Sequence, residues 1–218
     1  MKIKKNLFKV AIDSPAASGA GTVAKALSKH YNLLYLDTGK IYRFIALYKL
    51  KNQKKFDLEF IKKKIKNLNI NDLNNKDLLS DEVGTEASII AKNKKIRKLI
   101  HLFQIDMAYH PPKKYKGSIL DGRDITYKII PDAEFKFFIT ANLKTRAMRR
   151  YKELKQYNSS ITYRDVLKSI KNRDKNDYSR KISPLKKTED SILINTTKLS
   201  KRACFLKIKK IIDRKINI

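Results

Sequence analysis

Nine small residues in a row, Ser14-Pro15-Ala16-Ala17-Ser18-Gly19-Ala20-Gly21-Thr22, separate the apolar run Phe8–Ile12 from a helical pattern that begins at Val23. Side chains this small let backbone N–H groups come close to phosphate oxygens, and the N-terminus of the following helix adds the positive end of its dipole. The consensus for that chemistry, G-x-x-x-x-G-K-[ST], also places a Lys on the terminal phosphates. Here Ser14 holds the first Gly position and Ala20 the Lys position. On the motif alone the match fails, and an ordinary strand-to-helix turn accounts for the loop as well as a nucleotide site does.

Other constellations carry residue types suited to phosphorylated ligands. Arg43 follows Asp37-Thr38-Gly39 at the start of a helical pattern. A planar guanidinium there can hold a phosphate bidentately, which the point charge of Lys cannot do; a surface Arg capping its own helix is the plainer alternative. Asp121-Gly122-Arg123-Asp124 ends an apolar run and brings two carboxylates and one Arg to one place. Such carboxylates can hold Mg²⁺-bound water or accept base and hydroxyl protons, and a salt-bridged turn weighs about evenly against that. Arg146, Arg149 and Arg150 share a helix face, as do Arg173, Asp177 and Arg180. Two Arg-lined faces could fold over a transferring phosphoryl group, although charge runs are usually solvated.

The elements that must position these groups are legible as short runs. Strands are expected at Phe8–Ile12, Leu33–Leu36, Ile119–Asp121, Phe135–Ile139 and Ile192–Ile194, and helices over Val23–His30, Ile41–Leu50, Lys144–Lys155 and Tyr163–Arg180. This alternation predicts an α/β fold, a parallel sheet with helices on both faces. In such sheets ligands bind beyond the carboxyl ends of the strands, where Ser14, Asp37 and Asp121 fall. Lys51 to Asn75 is rich in Lys, Asn and Leu with weak periodicity, and reads as a small inserted segment. The polar stretch Gln156–Ser160 between two Arg-rich helices suits a mobile hairpin. Tyr42, Tyr109, Phe135, Phe137 and Phe138 read as packing residues, and His101 and His110 show no acid/base partner.

The chain has 218 residues, with 51 Lys or Arg against 21 Asp or Glu, for a net charge of +30. The length suits one compact domain spanning residues 1–218, and a hydrophobic fraction of 42% argues against a disordered polybasic tail. The single Cys204 excludes a disulfide framework, and the three His (His30, His101, His110) assemble no zinc spacing. A reduced, cytoplasmic compartment is expected. Asp13 interrupts the apolar stretch after the basic start at Met1–Lys5, unlike a signal peptide, and no apolar run approaches the ~20 residues of a membrane span. No membrane partner is expected. Lys is spread everywhere, including the tail Lys198–Ile218, which reads as compositional bias. An RNA-binding protein ranks last among the readings, because no RNP aromatic pair, KH-type G-x-x-G loop or zinc knuckle appears; no nucleic-acid partner is expected.

Val10–Lys25 followed by Leu34–Arg43 closely resembles bacterial cytidylate kinases, type 1 P-loop nucleoside monophosphate kinases whose first strand, phosphate loop and D-[ST]-G-x-x-Y-R segment run in this order. Further matches follow at Ala87-Ser88, Ile96-Arg97, Asp121–Asp124, Pro131–Ala133, Arg146–Arg150, Arg173–Asp177, Arg180 and Ser183–Leu185, so that the likeness extends from Lys9 to about Leu199. The resemblance implies a P-loop NTPase, three-layer α/β/α, with a five-stranded parallel sheet, a small NMP-binding insert at about 51–85 and an Arg-rich helical lid at about 146–180. It implies a monomer that transfers the γ-phosphoryl group of ATP, accompanied by Mg²⁺, to CMP or dCMP. The loop Ser14–Thr22 would cradle the ATP phosphates. Thr38, Arg43, Ser88, Arg97, Arg123, Asp124, Asp177 and Arg180 would hold CMP, with Ser88, Arg97 and Asp124 reading the cytosine. Arg146, Arg150 and Arg173 would be the catalytic cations. Mg²⁺ would be held through ATP, with Thr22, Asp37 and Asp121 contributing through water.

The chain departs from the family pattern at several places. Ala20 replaces the loop Lys, a kind of loss that costs roughly 2.7–4 kcal/mol of barrier, about 10²–10³ in rate, when nothing compensates. Lys25 lies one to two turns too far along; Lys40 or a base from the hairpin could compensate. Ser14 replaces a Gly and so demands a backbone angle that Ser can adopt. Leu79 stands where an Arg is usual, Asn195 where an Asp is usual, and the insert is short. These departures motivate the alternative of a nucleotide-binding pseudoenzyme. Yet Arg is scarce beside Lys, and eight of the 11 Arg, namely Arg43, Arg97, Arg123, Arg146, Arg149, Arg150, Arg173 and Arg180, fall in the matching segments.

Overall fold

Five short runs that are apolar on both faces must be covered from both sides. A computed structural model describes residues 8–52, 56–157 and 159–216. The basic start at Met1–Lys5, residues 53–55 of the expected insert, Asn158 of the polar stretch and the last two residues of the tail lie outside the described residues. The runs form β1 (Phe8–Asp13), β2 (Leu34–Asp37), β3 (Gly117–Gly122), β4 (Phe135–Thr140) and β5 (Ile192–Asn195). They make one sheet in the order β2-β3-β1-β4-β5, parallel throughout. Val10, Ala11, Ile12, Ile119, Leu120 and Phe137 on its central strands have no exposed surface, whereas Ile192 and Leu193 on the edge strand β5 are largely exposed.

Two helical layers complete the α/β/α arrangement of a P-loop NTPase. On one face α1 (Ala20–Tyr31) and α8 (Lys201–Ile216) cover β1, β3 and β4, with Val23, Leu27, Cys204 and Ile208 packed on Ile12, Ile119 and Phe137. On the other face α2 (Thr38–Lys51), α3 (Leu58–Lys66), α4 (Asp81–Ile90) and α5 (Lys94–Tyr109) gather Ile41, Ile45, Ile61, Leu78 and Ile100 around Ala11, Leu36 and Leu120. The weakly periodic segment after α2 is thus partly helical. Ile61 and Ile65 of α3 are buried one turn apart, and Asn69 and Asn75 cap two short 3₁₀ turns that bury Leu73 and Leu78. The Arg-rich helices α6 (Leu143–Lys155) and α7 (Tyr163–Ser179) pack on each other through Ala147, Val166 and Ile170, a cluster separate from the two sheet layers. No helix among the described residues is long and apolar enough to cross a membrane.

The central position of β1 places its end beside that of β3, with Ile12 level with Asp121, and β2 brings Asp37 level with the same residue. Asp13 fastens this edge. Its carboxylate accepts hydrogen bonds from the Ile125 N–H (2.8 Å), the Thr126 N–H (2.9 Å) and the Thr126 hydroxyl (2.6 Å). These bonds hold a widened π turn, Ile125–Ile129, directly after Asp124. Burial pushes the Asp13 carboxyl up to about 6, while the bonds from Thr126 and Ile125 pull the other way. A folded value above the unfolded 3.8 means that protonation favours the fold. The contribution of this group is therefore complete below about pH 4 and is lost as the pH rises to about 6. Carbon-13 NMR of the Asp13 carboxyl is expected to show a midpoint near 6; a midpoint at or below 4 would show that the three donors outweigh burial.

Candidate active site

The loop between β1 and α1 turns on two left-handed residues, Gly19 at φ 91° and Ala17 at φ 58°. Ser14, in place of a Gly, adopts a backbone angle open to Ser and is not left-handed; its N–H donates to the Gly122 carbonyl at 3.1 Å. The strain falls on Ala17, where an L residue costs roughly 1–2 kcal/mol. Ala20 opens α1 with 3% of its surface exposed and packs with Val23 and Leu27. Its N–H reaches the Ser18 hydroxyl at 3.3 Å.

All nine loop residues line a cleft of about 760 Å³, together with Asp37, Asp121, Arg43, Arg123, Arg149, Arg150 and Arg173. A smaller cavity of about 80 Å³ is lined by Thr38, Tyr42, Arg43, Ser88, Arg97, Arg123, Asp124, Arg173, Asp177 and Arg180. Every residue expected around an acceptor nucleotide therefore borders the second cavity, and the two cavities meet at Gly39, Arg43, Gly122, Arg123 and Arg173. Arg146, expected beside a transferring group, borders neither. Its guanidinium is 6% exposed and donates to the carbonyls of Ala141 (2.9 Å) and Ala16 (3.0 Å), with Asp174 at 2.6 Å. It braces the loop from behind, its Nε on the segment that leads into α6 and its Nη1 on the loop carbonyl of Ala16.

The charges around the cavities are unevenly neutralised. Arg97 and Asp124 form a buried ion pair, and Arg97 also donates to the Ala91 carbonyl and lies over the Tyr42 ring. Arg123 meets Asp177 at 2.6 Å, and Asp177 meets Arg180 at 3.3 Å. Burial works against the Arg123 charge, but Asp177 more than offsets it and holds its proton more firmly. Burial likewise opposes the Asp177 charge, yet Arg123 and Arg180 keep its carboxyl below the usual range. Arg43 has only carbonyl partners, Leu78 at 2.6 Å and Ser80 at 2.9 Å. Burial, and then Arg173 and Arg150, lower its hold on its proton to about 9. Arg173 forms no hydrogen bond or ion pair among the described residues, and burial and Arg123 act on it in the same sense. Arg150 is tied to Asp81, Glu153 and the Leu79 carbonyl, with its Nε unpartnered. Positive charge with too few carboxylates is what an anion would relieve.

The opposite holds between the loop and β3. Burial and then neighbouring Asp37 raise the Asp121 carboxyl well above the usual range. Tyr35 donates to Asp121 at 3.3 Å, and Thr38 donates to its carbonyl at 2.7 Å. A buried carboxylate with a second one beside it is relieved by a cation.

Several residues escaped the sequence reading. A Cβ on Gly84 would sit 2.5 Å from Arg43 Nη2, so Arg43 lies flat on a helix that has no side chain there; the available signal was a Gly inside the helix-forming stretch Asp81–Ile90. Thr196, Leu199 and Cys204 line the far end of the larger cleft and carry no motif of their own. His110 has a partner after all, Asp106 at 3.2 Å, on the exposed end of α5. Ser88, although it borders the cavity, donates to the Thr85 carbonyl of its own helix at 2.7 Å.

Urea denaturation should separate two of these residues. Arg97→Ala leaves Asp124 buried and unpaired and is expected to cost about 3–5 kcal/mol, whereas Ser88→Ala should stay within about 0.5 kcal/mol. Gly84→Ala gains up to about 1 kcal/mol through helix propensity but pushes Arg43 off the Leu78 and Ser80 carbonyls, a loss of about 1.5–3 kcal/mol, so a net fall in stability is expected. By displacing Arg43 it should also weaken binding of a phosphorylated ligand in the smaller cavity at least tenfold, as read by calorimetry.

Comparison with known proteins gives concordant results. A family profile described as "Cytidylate kinase" matches residues 10–214. A cytidylate kinase of Bartonella tribocorum is 44% identical over 201 residues, covering 91% of each chain. One from Clostridium botulinum is 38% identical over 220 residues, covering 96% of each, and one from Thermosipho melanesiensis is 38% identical, covering 96% of this chain and 99% of its own. A crystal structure of an uncharacterized protein from Eubacterium ventriosum shares the fold at a TM-score of 0.55 and 18% identity, over 94% of this chain and 98% of that one.

Proposed function

The chain belongs to the cytidylate kinase family, and from that premise we propose that it transfers the γ-phosphoryl group of ATP to CMP or dCMP, giving ADP and CDP or dCDP. The observation that carries this reading is the junction of the two cavities at Arg43, Arg123 and Arg173. A donor phosphate in the loop cleft and an acceptor phosphate in the smaller cavity would meet there, where phosphoryl transfer needs positioning and charge more than a strong base. An acceptor phosphate oxygen attacks the γ-phosphorus in line as the bond to the β-phosphate oxygen breaks, and ADP leaves.

The loop Ser14–Thr22 would cradle the ATP phosphates through its backbone. Arg43 and Arg123 would fix the acceptor phosphate, Asp177 and Arg180 would hold the nucleotide beside it, and Ser88, Arg97, Asp124 and Thr38 would surround the base. Arg150 and Arg173 would face the transferring group. Arg146 would act through the loop carbonyl that it holds. Asp121, whose charge burial and neighbouring Asp37 disfavour, together with Asp37 and Thr22 suits a water-bound Mg²⁺; the ion itself would offset charge on the phosphates. The segment of about 51–85 would serve as the NMP-binding insert and 146–180 as a lid, within a single domain that works as a cytoplasmic monomer. The alternative of a nucleotide-binding pseudoenzyme has no support among the relatives, which are named as cytidylate kinases.

Purified protein with Mg-ATP should form CDP from CMP and dCDP from dCMP, and turn over UMP and AMP more slowly. Absence of CDP would overturn the reading. Arg43→Ala should lower kcat/KM for CMP by about 10²–10³, while ATP binding changes less than threefold.

A further inference from the structure

We propose that Arg149 supplies to the ATP phosphates the positive charge that the loop lacks at Ala20; this rests on the reading of the larger cleft as a nucleoside triphosphate site. Ala20 is buried with Val23 and Leu27, and no residue from Ser14 to Thr22 carries a charge. Neither Lys25 nor Lys40 fills the gap. Lys25 is exposed and borders neither cavity, and Lys40 Nζ donates to the Leu73 carbonyl at 2.8 Å.

The cations that line the cleft divide by position and by partner. Arg43, Arg123 and Arg173 stand at the junction with the smaller cavity. Arg149, Arg150 and Lys201 line the larger cleft alone. Arg150 is met by Asp81 and Glu153, and Lys201 is exposed at the start of α8. Arg149 has no carboxylate partner among the described residues. Its guanidinium donates to uncharged oxygens only: Thr196 Oγ1 at 2.9 Å, the Thr196 carbonyl at 2.7 Å, and the carbonyls of Ser18 and Leu199 at 3.4 Å each.

Its placement suits the task. Nη1 lies 3.9 Å from the point where a Cβ on Gly19 would be, an ordinary contact distance, which sets the guanidinium directly against the loop. Thr196 Oγ1 also donates to the Ser18 carbonyl at 2.8 Å. The loop, the end of β5 and Arg149 are thereby locked together, and the charge is fixed before any ligand arrives. The two contacts at 3.4 Å are long, and Nε makes none, which leaves donors for phosphate oxygens. A planar guanidinium can bridge two such oxygens, as a single Lys cannot.

Steady-state kinetics and calorimetric ATP binding on the full chain test this with a double-mutant cycle. Arg149→Ala is expected to lower kcat/KM for ATP by about 10²–10³ and to weaken ATP binding. Ala20→Lys alone should change either by less than tenfold, and Ala20→Lys added to Arg149→Ala should recover both to within tenfold of the native protein. A loss below tenfold in Arg149→Ala would overturn the proposal. So would a gain of a hundredfold or more from Ala20→Lys alone, or a double variant no better than Arg149→Ala, which would mark Arg149 as a clamp on Thr196 and not as a source of charge. If Arg149→Ala does not fold, Arg149→Gln, which keeps hydrogen-bond donors but removes the charge, is read against the same limits. A native protein that forms no CDP would defeat the functional reading itself, whereas native activity with a contrary cycle defeats only the role of Arg149.

Discussion

Gathering guanidinium groups at one edge of a parallel sheet is electrostatically unfavourable, and much of the surrounding structure limits that cost. Two devices are visible. Asp124, Asp177 and Asp174 neutralise Arg97, Arg123 and Arg146 at short range in buried surroundings. Carbonyls at the ends of neighbouring elements, Leu78, Ser80 and Thr196 among them, take the hydrogen bonds of Arg43 and Arg149 without cancelling their charge. Arg173 is left with neither. The positive charge that remains is concentrated along the cleft, so an anionic ligand adds stability by mass action to a fold that tolerates its absence. Removing one carboxylate from a buried pair is costly in stability, whereas removing an uncompensated Arg costs mainly function.

The same distinction separates what could be read in the sequence from what could not. The strands were legible because the central ones are buried on both faces, which leaves short, nearly pure apolar runs with a charged or small residue at the carboxyl end. Asp13, Asp37 and Asp121 mark three of those ends. The choice of Arg over Lys was legible because Lys is the default base of this chain and Arg the exception. Most Lys sit exposed, where ion pairs contribute little, and the net charge of +30 says correspondingly little about the site. By contrast α3 was obscured because its apolar face is only Ile61 and Ile65 within a run of Lys.

What escaped depends on contacts between distant segments. Arg146, Arg149 and Arg150 look alike as a run on one helix, yet one braces the loop carbonyl of Ala16, one is locked to Thr196, and one reaches Leu79 and Asp81. Helical spacing fixes which face a residue occupies but not which of several nearby acceptors it finds. Gly84 is similar: its value lies in the absence of a side chain under Arg43, a residue some forty positions earlier. The left-handed angle at Ala17 is a third case, because it depends on how the loop closes between β1 and α1 and not on the residue type at that position.

Moving a phosphate-binding charge from the loop to α6 has a mechanical consequence. A Lys at position 20 would travel with α1, which is packed into the sheet core through Val23 and Leu27. Arg149 travels with α6, whose apolar contacts are largely to α7 in a cluster of their own. The same helix carries Arg150, which reaches across to the Leu79 carbonyl and Asp81 at the start of α4. On the proposed role of Arg149, donor phosphates therefore gain their full charge complement only when α6 is seated on both the loop and α4. Because α6 is already held on the loop and Thr196 through Arg149, anything that lifts α6 away would weaken ATP binding, and bound ATP would in turn hold α6 in place. A loop that keeps its own Lys can hold ATP with the hairpin displaced; a loop with Ala20 makes the hairpin part of the phosphate site.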